Sequence, residues 1–164
     1  MVAKICNIIR TIMIVIIVAV ALLLIVPKIL GYESMVVLSG SMEPECPVGS
    51  MVYVKSVNFS DIEVGDVISF RLNDGTMVTH RVDAINDDGT LRTKGDANDV
   101  ADASPVSESQ VFGEVKGKLP YLGYLSSFIK SASGIATLIA LAVIIIVLSV
   151  IPGFFKKEDA EENK

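Results

Sequence analysis

Residues 51–85 read MVYVKSVNFSDIEVGDVISFRLNDGTMVTHRVDAI. Apolar and polar residues alternate along MVYVKSV (51–57), DVISFRL (66–72) and TMVTHRVDAI (76–85), and β-branched residues are frequent. That is the pattern of half-buried strands. Asn73-Asp74-Gly75 separates the last two. An Asp-Gly pair suits a tight hairpin, because glycine supplies the positive φ that the turn needs. Working outward, the pattern returns in MVVLS (35–39), TLRTK (90–94) and VFGEVKGKL (111–119). The breaks are again turn chemistry, at Pro47-Val48-Gly49 and Asp87-Asp88-Gly89. No helical period interrupts the run. Residues 33–128 are therefore predicted to form a small β domain, a barrel or two packed sheets, with a modest core.

Farther out the chemistry changes. TIMIVIIVAVALLLIV (11–26) carries no charge, and Ile8 and Ile9 extend it across Arg10. Together these approach the roughly 20 apolar residues that cross a bilayer. Arg10 can snorkel to the headgroups. Ser131–Ile151 is a second uncharged run, closed by Pro152 and Gly153. A cleaved signal peptide is the rival reading of the first run. Its apolar part is long for that role, and Pro27, Lys28, Leu30 and Tyr32 follow it where an A-x-A site would stand. An uncleaved anchor fits better. Lys4 and Arg10 precede the first run, and Lys156, Lys157 and Lys164 follow the second. The positive-inside rule then puts both termini in the cytosol. The expected organisation is a cytosolic N-terminus (1–7), transmembrane helix 1 (8–27), an extracytoplasmic β domain (33–128), transmembrane helix 2 (131–151) and a charged cytosolic tail (152–164). Tyr121, Tyr124 and Phe128 suit an interfacial aromatic belt or packing on the β domain.

Composition excludes several classes. The chain has 164 residues, 51% hydrophobic and 20% charged, with a formal charge of −5. The β region alone holds 15 acidic and 7 basic residues, a charge of −8, which argues against binding nucleic acid. Two cysteines cannot build a disulfide framework, and one histidine cannot complete a two-Cys, two-His zinc site. Cys6 and Cys46 fall on opposite sides of the first membrane run, so they cannot pair within one chain. There is no Walker or GxGxxG run. No cofactor and no metal are expected.

Three places could do chemistry. His80 is the sole imidazole, and imidazoles change charge between about pH 5 and 8. Ser39-Gly40-Ser41-Met42-Glu43-Pro44 follows a strand and turns; glycine beside serine admits a substrate backbone. By composition alone it is a turn. Lys94-Gly95-Asp96-Ala97-Asn98-Asp99-Val100-Ala101-Asp102 holds three carboxylates. Val100 and Ala101 spoil the alternate oxygens of a calcium loop, and an acidic solvated turn is the plain reading.

SGSMEP, GDVISF, THRV and KGDANDVADASPV, in this order after an apolar helix, resemble the type I signal peptidases. A histidine at position 80, where the usual bacterial form has lysine, resembles the archaeal and endoplasmic-reticulum type, found also in some Gram-positive bacteria. The resemblance covers about Val26 to Val115. It implies Ser41 as nucleophile, His80 as general base, Asp102 as the carboxylate on the base and Asp96 as a supporting residue. Ala97 departs from the asparagine that often follows Gly-Asp. Asp99 is the weaker choice for the third member. The Ser41 N–H is a candidate oxyanion donor and the Ser39 hydroxyl resembles the family's second one, and Met42 with the 35–39 strand would form shallow apolar pockets for small residues. Helix one ends near Pro27, which keeps the site near the bilayer surface, where a signal peptide presents its cleavage site.

The implied activity is a membrane-bound serine endopeptidase that removes signal peptides from exported proteins, after small residues. Its expected partners are preproteins, the lipid bilayer and translocation-complex subunits. The expected location is the cell membrane, or the endoplasmic-reticulum membrane in a eukaryote. Two alternatives stand beside it: an inactive scaffold of a secretion complex, and a Ser–Lys protease using Lys94 or Lys55.

Overall fold

The computed structural model describes the backbone of residues 2–161 and the side chains of residues 4–150. The chain divides into two compact units, one being Val26–Ser126 and the other the apolar helical residues on either side of it. Helix α1 runs over Val2–Ile29 and helix α3 over Ala132–Glu161. Lys4–Ile29 and Ala132–Val150 are long and apolar enough to cross a membrane.

Both helices run past the prolines expected to close them, α1 beyond Pro27 and α3 beyond Pro152. One proline removes one intrahelical donor, which strains a helix without having to end it. What ends α1 is Gly31, at φ +81°. The Gly31 N–H donates to Lys28 O at 3.1 Å and the Tyr32 N–H to Pro27 O at 3.0 Å, a paired closure that needs a left-handed residue. Of the tail expected over 152–164, residues 162–164 lie outside the described residues.

Within Val26–Ser126 six strands form: β1 (Glu33–Val36), β2 (Met51–Lys55), β3 (Val67–Arg71), β4 (Met77–Ile85), β5 (Leu91–Lys94) and β6 (Val111–Leu119). Their order is β1-β2-β6-β3-β4-β5, every neighbour antiparallel. The expected barrel or pair of packed sheets is instead one six-stranded sheet. β6 is the reason, since it pairs with β2 from Met51↔Leu119 to Lys55↔Glu114 and with β3 at Ile68↔Glu114 and Ser69↔Gly113. Over the described residues as a whole, helix outweighs strand, so "mostly β" describes the middle of the chain and not its total.

Two apolar clusters hold the sheet. Ile62, Ile68, Phe70, Val82, Leu91 and Val106 form one, and Met42, Cys46, Val52 and Val54 the other. Burial of side chains this size contributes about 1.5–3 kcal/mol each. A nine-residue helix, α2 (Leu122–Lys130), follows the last strand and begins inside the span 33–128 expected to be the β domain. It buries Leu122, Gly123 and Ser126 on one face, while Tyr121, Tyr124 and Phe128 stay exposed. The first strand also shifts, from an expected 35–39 to 33–36. Beyond Val36 the Val37 N–H still donates to Ser50 O, and Val37 O accepts the Gly49 N–H, both at 2.9 Å. Then the chain lifts off, Leu38 is 85% exposed, and a turn begins at Ser39.

Candidate active site

That turn is a short 3-10 helix, Gly40–Met42, with Ser41 at its middle. Met42 seats it: the side chain is 2% exposed and packs in the cluster with Cys46, Val52 and Val54. The Glu43 N–H closes onto Gly40 O and the Cys46 N–H onto Met42 O. Burial pushes the Cys46 thiol upward, away from the reactive thiolate. It is a packing residue here.

His80 lies in β4 opposite Ile68. Its ring meets Phe70 edge-on, centroids 6.3 Å apart at 67°, and only 10% of the side chain is exposed. Its Nε2 is 3.1 Å from Ser41 Oγ and its Nδ1 is 2.7 Å from Asp102 Oδ2. An ionised carboxylate only accepts, so Nδ1 carries the proton toward Asp102. Nε2 is left with its lone pair facing the Ser41 hydroxyl. The side chain of Asp102 is 25% exposed, so the pair is largely shielded and its hydrogen bonds gain from a low local dielectric.

The structure thus brings Ser41, His80 and Asp102 into one hydrogen-bonded row. Ser39 joins at the end, its Oγ 3.3 Å from Ser41 Oγ. Asp99 is exposed, and the hydrogen bonds to His80 run to Ser41 and Asp102 and not to it. Asp96 does something the sequence reading did not foresee. The resemblance implies only a supporting residue; here both its oxygens accept from Arg81, Nε at 2.8 Å and an Nη at 2.6 Å. A second Arg81 Nη donates to Gly65 O. The hydrogen bond from Arg81 to Asp96 raises the guanidinium pKa above its usual value. Arg81 went unread because nothing in the sequence marks its partner; its only signal is its place beside His80.

The Asp96 pair holds the turn that braces Ser41. The Ala97 N–H donates to Ser41 O at 2.9 Å. Gly95 makes the approach possible, since a Cβ there would lie 2.5 Å from Ser41 O. Asp96→Asn is expected to cost about 1–3 kcal/mol, because the guanidinium, 35% exposed, loses a bidentate charged partner. A thermal melt of the purified variant checks this, and a melting temperature equal to that of the parent chain would show that the pair carries no stability.

A groove of about 550 Å³ opens beside Ser41 and His80, walled largely by apolar side chains that include Met35, Val37, Met42, Val52 and Val78. Neither lysine of the alternative reading is seen at the serine. Lys94 lines a different hollow with Arg81 and Asp96, and Lys55 Nζ sits over the Tyr32 ring, 5.4 Å from its centroid. Among the described residues no group of three or more His, Cys, Asp or Glu side chains converges as a metal site would need.

Comparison with known proteins gives the following. The model of the family described as "Signal peptidase, peptidase S26" matches residues 7–115, a span that contains Ser41, His80 and Asp102. Signal peptidase I W of Bacillus subtilis is 42% identical over 95 residues, covering 56% of this chain and 50% of that protein. The signal peptidase complex catalytic subunit SEC11C of Homo sapiens is 34% identical over 110 residues, covering 58% of this chain and 57% of that protein. The SEC11 subunit of Candida tropicalis is 34% identical over 106 residues, covering 57% of this chain and 63% of that protein. The chain therefore spans between half and two thirds of the length of these relatives.

Proposed function

The chain belongs to the signal peptidase family, peptidase S26, and from that premise we propose that it is a membrane-bound serine endopeptidase that removes N-terminal signal peptides from exported proteins. The observation that carries the reading is the hydrogen-bonded row from Ser41 Oγ through His80 to Asp102 Oδ2. In this mechanism Ser41 Oγ attacks the scissile carbonyl while His80 Nε2 takes its proton. Asp102 holds the imidazole by Nδ1 and stabilises the imidazolium. The tetrahedral oxyanion takes hydrogen bonds from the Ser41 N–H and the Ser39 hydroxyl. His80 returns the proton to the leaving amine, water then hydrolyses the acyl-enzyme, and the cycle closes. Shallow apolar walls around Met35, Val37 and Met42 suit cleavage after small residues.

The test is incubation of the purified chain, in detergent micelles, with a preprotein bearing an A-x-A site. Cleavage at that site is expected, and Ser41→Ala should leave the preprotein whole. Equal cleavage by Ser41→Ala would remove the serine from the mechanism. Labelling of Ser41 by a serine-directed reagent separates this reading from that of an inactive scaffold, which would stay unlabelled.

The membrane part of the proposal rests on exposed apolar surface. Ile8, Val15 and Leu22 of α1 and Ile139 and Ile146 of α3 are all at least half exposed, a surface that hydrocarbon satisfies and water does not. With Lys4 and Arg10 in α1 ahead of its uncharged run and lysines after α3's apolar part, both termini belong in the cytosol and Ser41 outside it. Protease added outside intact cells or spheroplasts should leave tags at both termini uncut; digestion of the C-terminal tag would overturn this topology. The relatives named as catalytic subunits of a signal peptidase complex extend the proposal to partner subunits.

A further inference from the structure

β5 faces the apolar cluster with two fully buried side chains, Leu91 and Thr93, at 1% and 0% exposure. Its neighbour across the ladder at position 93 is Val82, also in that cluster. Valine has the volume of threonine and no hydroxyl to satisfy, so packing alone gives no reason for a threonine here; a buried hydroxyl costs stability unless it is bonded. This one is bonded. Thr93 Oγ1 donates to Asp102 Oδ2 at 2.6 Å, the same oxygen that accepts from His80 Nδ1 at 2.7 Å. The Thr93 carbonyl meanwhile accepts the Asp102 N–H at 2.8 Å.

We propose that Thr93 is a positioning residue for catalysis, fixing the rotamer of Asp102 through its hydroxyl and thereby the orientation of His80. The inference rests on the serine-protease reading above and adds a fourth member behind its carboxylate. The geometry gives the reason. Without a second donor the Asp102 side chain is free to turn about its χ angles and to offer solvent the oxygen that His80 needs. The backbone bond places the Cα of Asp102, and the hydroxyl places its carboxylate. A distance of 2.6 Å lies in the short range of O–H donors on ionised carboxylates, which are about twice as strong as neutral pairs.

The experiment uses the full-length chain in micelles and three variants. Thr93→Val keeps the volume and removes the hydroxyl; Thr93→Ser keeps the hydroxyl; Ser41→Ala is the control for the underlying reaction. Thr93→Val is expected to lose about 10- to 100-fold in kcat with KM within about twofold of the parent, and Thr93→Ser to stay within about threefold in kcat, since small errors of placement act on the chemical step. A second readout needs no turnover. His80 is the chain's only histidine, so ¹⁵N labelling of histidine reports a single imidazole. The Nδ1–H signal should move in Thr93→Val and return in Thr93→Ser. Parent-like kcat with an unmoved imidazole signal in Thr93→Val would overturn the proposal. So would equal losses of kcat and melting temperature in both threonine variants, which would mark Thr93 as packing alone. If Ser41→Ala cleaves as fast as the parent, the serine mechanism is the part that fails, and the imidazole spectrum alone then decides Thr93.

Discussion

His80→Ala is expected to lower kcat by on the order of 10⁶, the size of loss when the base of a serine–histidine unit is removed. The variant leaves Ser41 Oγ with no acceptor for its proton, because Nε2, at 3.1 Å, is the basic nitrogen recorded against it. It also leaves Asp102 without its imidazole while Thr93 still donates to it. Single-turnover cleavage of a preprotein measures the effect, with a melting curve to show that the sheet has formed. Retention of more than about a tenth of the parent rate would point to a lysine base instead. Lys55 would have to leave the Tyr32 ring to serve, and Lys94 the hollow it shares with Arg81 and Asp96.

Asp102→Asn should lose about 10⁴ in kcat, the size of loss when the triad aspartate of a serine protease becomes asparagine. An amide in place of the carboxylate can turn its NH₂ toward Nδ1. That selects the tautomer with the proton on Nε2, which cannot accept from Ser41. It also withdraws the charge that stabilises the imidazolium. Asp99→Asn should cost less than about tenfold, since an exposed charge outside the row contributes little. The measurement is kcat for both variants on one preprotein, with thermal melts as the folding control. A dead Asp99→Asn beside a nearly normal Asp102→Asn would mean that the row closes through Asp99 in the working enzyme.

Much of the strand layout was legible because one face of each strand is buried and period-two alternation records that. The stretches 51–57, 66–72, 76–85, 90–94 and 111–119 coincide, within a residue or two at their ends, with β2 to β6. The joining of two halves into one sheet was not legible. Alternation says which residues face inward and nothing of which strand lies beside which, so the central place of β6 could not be read. Helix α2 was hidden by its length, since nine residues hold too few turns to display a helical period beside three aromatics. Within the site, the residue types of Ser41 and His80 carry their chemistry openly, and the four boxes identify their family. The supporting contacts do not. Thr93 and Arg81 act through partners 9 and 15 positions away, and a single threonine or arginine in a strand carries no mark of such a contact.

The placement of β6 has a consequence for the birth of the protein. Ser41 follows β1 and precedes β2, whereas His80 and Asp102 hang on β3 to β5. The two groups share no ladder with each other; β6 alone is paired to both β2 and β3. It is also the last of these six strands to leave the ribosome. A nascent chain that ends before residue 111 thus carries Ser41 and His80 on hairpins with no common ladder, and β6 joins them only by closing a long loop from β2. The contact between Ser41 and His80 is therefore expected only in chains that have passed residue 119.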